Sequence, residues 1–76
     1  MPRPITWTAD LLERRRDLHS RIDRLALANP AAAARTRLEL YSAIHRFDQH
    51  PADVATLDDD LTLLALELDA LTPRAA

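Results

Sequence analysis

The sequence predicts an all-α chain: a three-helix antiparallel bundle running up, down and up. Three observations predict it. The chain contains no glycine at all. Alanine, leucine and arginine dominate it, and all three are strong helix formers. Valine and isoleucine, which favour strands, are few. The missing glycine also removes phosphate-cradling loops, dinucleotide fingerprints and glycine-dependent hairpins, each of which needs backbone angles that a Cβ obstructs.

The 76 residues make one helical domain, 1–76, near the lower end of what buries a self-sufficient core. Residues 1–7 and 73–76 are expected to be flexible ends. The first helix is predicted over about 8–28. Thr8 is a good N-cap, and Trp7 before it with Leu12 after it forms a hydrophobic staple. Asn29-Pro30 stops this helix, because a residue preceding proline avoids helical angles. The same pair opens the second helix, 30–49, with Asn29 as cap and Pro30 in the first helical position. His50-Pro51 ends that helix. The third runs to 72 from a start at either 52 or 56, where Thr56-Leu57-Asp58-Asp59 reads as a variant capping box. Connections this short lay neighbouring helices antiparallel.

Apolar spacing then assigns faces. The third helix carries Val54, Leu57, Leu61, Leu64, Leu68 and Leu71 at intervals of three and four, a seam of the coiled-coil kind. Leu63, Leu66 and Ala70 fall outside the seam, so this helix is expected to be buried on most sides. The second helix offers Leu38, Leu40, Tyr41, Ile44 and Phe47, with Ala33 and Ala34 allowing close approach at its start. The first offers Leu11, Leu18, Ile22 and Leu25, supported by Leu12 and Ala26, with Arg15 standing where the seam would take a leucine. Three helices cannot surround about twenty large apolar side chains, so homodimerisation is expected to complete the bundle.

The net charge of −2 hides an asymmetry. Residues 1–46 sum to +4 and residues 47–76 to −6, a basic front and an acidic tail that complement each other within a bundle or between copies. Asp10–Arg14 and Asp17–Arg21 are four apart in the favourable orientation for pairing along one helix. Asp53, Asp60 and Glu67 flank the third helix's seam with no base on that helix, so their partners must lie on another.

Candidate chemistry is sparse. With no cysteine there is neither a disulfide frame nor a thiolate metal site. His19, His45 and His50 lack the helical spacing of a two-ligand metal motif, and His45 is expected to lie against Tyr41. Ser20 and Ser42 have no glycine-supported elbow. No catalytic residue, cofactor or metal is therefore expected. The opening residues hold no apolar run of the signal-peptide kind, and Leu61–Leu71 is too short and too acidic to cross a bilayer, which predicts a cytoplasmic protein.

These residues favour a non-enzymatic interaction module, an adaptor, small chaperone or regulator. It would bind a partner helix or a second copy of itself through Leu57, Leu61, Leu63, Leu64, Leu66, Leu68 and Leu71. Two alternatives stand beside it. Arg14, Arg15, Arg16, Arg21 and Arg24 could form the nucleic-acid face of a small dimeric DNA-associated regulator, although the net acidic charge opposes this. The acidic third helix, with Asp58-Asp59-Asp60, could instead act as a mimic or inhibitor occupying a basic groove.

Overall fold

A computed structural model describes residues 7–72 as three helices: α1 (Ala9–Ala28), α2 (Pro30–Gln49) and α3 (Val54–Leu71). Each helix packs against both others, giving the expected three-helix bundle. Most of the ends expected to be flexible, 1–6 and 73–76, lie outside the described residues.

The caps follow from local chemistry. The Thr8 hydroxyl accepts the Leu11 N–H at 3.2 Å, satisfying one of the orphan donors of the first turn. Asn29 serves two helices at once. Its N–H donates to the Leu25 carbonyl at 2.7 Å, closing α1, and its Oδ1 accepts the Ala32 N–H at 3.2 Å, opening α2. Its backbone (φ −146°, ψ 79°) is pushed off helix by Pro30. α3 begins at Val54, capped by Asp53, whose carboxylate accepts the Thr56 N–H at 3.2 Å and the Thr56 hydroxyl at 2.8 Å. The capping box expected from Thr56 is thus displaced by three residues. Asp and Thr both make good caps, and the turn after Pro51 brings Asp53 into that position through its N–H to the His50 carbonyl, 3.0 Å.

The interior is filled by the inward stripe of each helix. Leu11, Leu18, Ile22 and Leu25 of α1 are all buried, as their spacing predicts. From α3 come Leu57, Leu61, Leu64 and Leu68; the seam's ends, Val54 and Leu71, are exposed and half-buried. α2 contributes Ala32, Ala33, Leu40, Ala43 and Phe47. Leu38, Tyr41 and Ala34, assigned to the α2 stripe, face outward instead. Thr36 takes an interior place that its polarity conceals. Its hydroxyl lies 3.0 Å from the carbonyls of both Ala32 and Ala33, so it satisfies itself along its own helix and presents a methyl to the core.

Trp7, counted with the flexible end in the sequence, is packed onto α2. Its ring meets Phe47 edge to face at 5.0 Å between centroids, and its Nε1–H donates to Asp48 at 2.9 Å. The Arg15 guanidinium lies 4.8 Å above the ring, which explains an arginine in a seam position. The Trp7 side chain is thus clamped onto α2, and Leu12, its expected staple partner, stays exposed. Trp7→Ala is expected to lower stability by about 2 kcal/mol, less than for a fully buried aromatic. Thermal unfolding followed by circular dichroism checks it; an unchanged midpoint would mean that the clamp contributes nothing.

Candidate functional site

Among the described residues, four arginine–aspartate pairs tie the helices together, and each crosses from one helix to another. Arg14 meets Asp58 at 2.5 Å and also donates to the Thr62 hydroxyl at 3.3 Å. Arg21 pairs with Asp69 and reaches the Ala65 carbonyl. Both join α1 to α3. Arg37–Asp23 at 3.2 Å joins α2 to α1, and Arg46–Asp60 at 3.1 Å joins α2 to α3. The i to i+4 pairs expected for Arg14 and Arg21 along α1 do not form; these side chains flank the inward stripe and turn to the neighbouring helix. These partly exposed pairs contribute little energy each, about 0–1 kcal/mol, but they set which flank of each helix faces which neighbour.

These contacts commit part of the candidate nucleic-acid face within the chain. Arg14 and Arg21 are held by α3, and Arg15 lies over Trp7. Arg16 and Arg24 are left outward, among the described residues, with Asp17 and Glu13 beside Arg16 in one groove. The candidate acidic surface is reduced in the same way. Asp58 and Asp60 are paired, and Asp59 alone of the three has no ion pair among the described residues. Among those residues, too, no group of three or more His, Asp or Glu side chains gathers into a possible metal site. His45 is exposed, within 3.1 Å of the Gln49 amide; the ring beside Tyr41 is that of His19, 5.7 Å away on α1.

The leucines assigned to an interface divide into two sets. Leu57, Leu61, Leu64 and Leu68 belong to the interior of the chain itself, and Leu71 is half-buried at its edge. Leu63 and Leu66 are 64% and 60% exposed, on the opposite side of α3. With Ala70, at spacings of three and four, they make one outward apolar stripe. The expectation that α3 is buried on most sides therefore fails for the chain alone. Other exposed leucines stand apart from this stripe: Leu27 on α1 at 89% and Leu38 on α2 at 67%.

Beside Leu63 lies an unusual charge arrangement. A groove between α2 and α3, about 190 Å³ in volume, is lined by Glu39, Ala43, Arg46, Asp60, Leu63, Leu64 and Glu67. Asp60 has Arg46, as expected of an acid whose partner lies on another helix. Glu67 has no basic partner among the described residues: it faces Glu39, like charge against like. A hydrogen bond between the two carboxyl groups holds Glu39 above the ordinary glutamate range, with slight desolvation and the Glu67 charge adding to it; Arg35, one turn earlier on α2, pulls it back. The sequence alone singles out Glu67 but not Glu39, because only the setting of α2 against α3 makes them neighbours.

No protein-family model, curated protein or solved structure matches the chain. No helix among the described residues is long and apolar enough to cross a membrane.

Glu39 binds its proton more tightly in the folded chain than in the unfolded one. Its contribution favours folding below the unfolded carboxyl pKa and is lost as pH rises through the raised folded value. At neutral pH the pair repels, so Glu39→Gln is expected to raise stability there by a few tenths of a kcal/mol. That gain should vanish once the pH falls below the ordinary glutamate value. Denaturant midpoints at neutral and acid pH, at low protein concentration, test it; a gain that persists in acid would place its origin elsewhere.

Proposed function

We propose that this protein is a non-enzymatic, cytoplasmic interaction module that docks a partner helix against the outward face of α3. One observation carries the reading. After the bundle has filled its own interior, Leu63 and Leu66 remain 64% and 60% exposed, side by side on one face. Exposed leucines scattered singly are ordinary on a protein surface, and Leu27 is of that kind, while Leu38 shares its outward side of α2 with Tyr41, whose ring lies against His19. Two at helical spacing, flanked by Ala70 and bordered by two carboxylates, Glu39 and Glu67, that form no ion pair among the described residues, are the half of a helix-packing interface that a further helix completes.

The border fixes the chemistry of the partner. Glu39 and Glu67 place two carboxylates beside Leu63, so the complementary surface is an apolar stripe edged by arginine or lysine. Leucine burial would supply most of the affinity, and the charges would set orientation and exclude acidic competitors.

Two kinds of leucine substitution should then behave differently. Leu63→Glu with Leu66→Glu alters exposed positions and is expected to leave helicity intact and shift thermal midpoint by less than about 8 °C. Leu64→Arg puts a charge into the interior and is expected to unfold the chain. As a probe, a fluorescein-labelled amphipathic helical peptide with a leucine stripe edged by arginines can be titrated by anisotropy. It should bind, should lose at least about tenfold in affinity to the Leu63→Glu, Leu66→Glu protein, and should bind better than the same peptide edged by glutamates. Equal binding to both proteins would overturn the reading.

A further inference from the structure

We infer that the occupant of this face is a second copy of the same chain, related by a two-fold axis, with Arg35 of each copy set against the Glu39–Glu67 pair of the other. The inference rests on the docking face just proposed and names its partner.

The face is self-complementary. A partner must bring apolar side chains to cover Leu63 and Leu66 and a cation to relieve two adjoining carboxylates. The face itself holds both kinds of group. On α2, Arg35, Glu39, Ser42 and Arg46 recur at intervals of four, three and four, which lines them up along one flank of the helix. Glu39 and Arg46 of that flank border the α3 groove that holds Leu63 and Glu67. Arg46 is committed to Asp60, whereas Arg35 is exposed and makes no ion pair among the described residues. Arg35 thus stands one turn from a carboxylate pair that it offsets only in part.

An interface formed by the same patch on two copies brings residue i against residue j and residue j against residue i. A patch that carries an apolar stripe, a carboxylate pair and an arginine, none of these charges in an ion pair among the described residues, satisfies that condition with no other protein. Each copy supplies one arginine and receives one, and the leucine stripe of each copy lies beside its own carboxylate pair. Arg16 and Arg24 cannot serve in this way. They lie on α1, and Asp17 and Glu13 share a groove with Arg16.

Sedimentation velocity across a concentration series, at low and high salt, gives the first reading. The wild-type chain should rise from the monomer mass toward twice that mass between about 1 and several hundred micromolar, as a small interface implies, and less readily at high salt. Arg35→Glu and Glu67→Arg, both surface changes, should each weaken self-association at least about tenfold. An equimolar mixture of the two variants should restore it. In the mixed dimer the two introduced side chains, opposite in charge, meet on one side, and the native Arg35 and Glu67 meet on the other. A wild-type chain that stays monomeric throughout overturns the second copy as occupant. If the arginine-edged peptide still binds through Leu63 and Leu66 in that case, the docking face itself survives. A dimer broken by Leu63→Glu that the mixed variants fail to restore overturns the arginine–carboxylate pairing. A dimer that Leu63→Glu leaves intact places the contact elsewhere and overturns the inference as a whole.

Discussion

Ile22, Leu40, Leu61 and Leu68 lie in the shared interior of the bundle with essentially no solvent contact, one each from α1 and α2 and two from α3. Three helices arranged in a triangle give each helix a single inward stripe, and no helix can bury two. That constraint decides almost everything else about the molecule. It places the leucine seam of α3 inside and forces its second leucine stripe outside. It also explains why small residues dominate the inward side of α2. Ala32, Ala33, Thr36 and Ala43 let that helix approach closely while α1 and α3 supply the bulk. A Thr in such a place is tolerable because its hydroxyl is already satisfied by the helix it belongs to.

Charge follows from the same triangle. The flank beside each inward stripe faces a neighbouring helix, and arginines placed there meet aspartates across the gap. The basic front and acidic tail of the sequence meet in three of the four cross-helix pairs among the described residues, with Arg14 and Arg21 spaced seven apart to reach Asp58 and Asp69 on α3 and Arg46 reaching Asp60. The exception is the α2–α3 flank near Glu39. There an acid stands where the pattern elsewhere puts a base, and the adjoining α3 surface is apolar. Both departures occur on one side of the molecule. Two departures from the pattern, one in charge and one in polarity, coincide at that place, and such places are where a binding surface is best sought.

Much of this was legible in the residues. Leu11, Leu18, Ile22 and Leu25 could be named as interior from spacing alone, because period 3.6 admits no other face for them. The Thr8 and Asn29 caps followed from side-chain chemistry next to a proline or an apolar run. What escaped were features that depend on how one helix is rotated against another. The Trp7 clamp on Phe47 and Asp48, the His19–Tyr41 contact and the direction taken by Arg14 and Arg21 all join residues distant in sequence. The cap of α3 was missed for a local reason, since Asp53 and Thr56 are equally suitable and only the turn geometry chooses between them. The interface leucines were named as a single set because the sequence shows two stripes on α3; which of the two remains free is settled by the bundle.

The one-residue link at Asn29 has a consequence for how the chain can go wrong. Two helices of twenty residues joined by a single non-helical residue lie close, in sequence, to one continuous rod. If Asn29 took helical angles, α1 would swing away from its own bundle and could be received by another molecule, the exchange known as domain swapping. Pro30 stands against this. Within an uninterrupted helix its ring would collide with the carbonyl of Ala26 and its missing N–H would leave that carbonyl unbonded, at a cost of about 3 kcal/mol. In the closed hairpin the same proline sits in the first turn, where no N–H is needed and its fixed φ suits the helix. A residue that is harmless in the native chain is thereby a barrier to the extended one, and it keeps a glycine-free connection from opening into a tangle of exchanged helices.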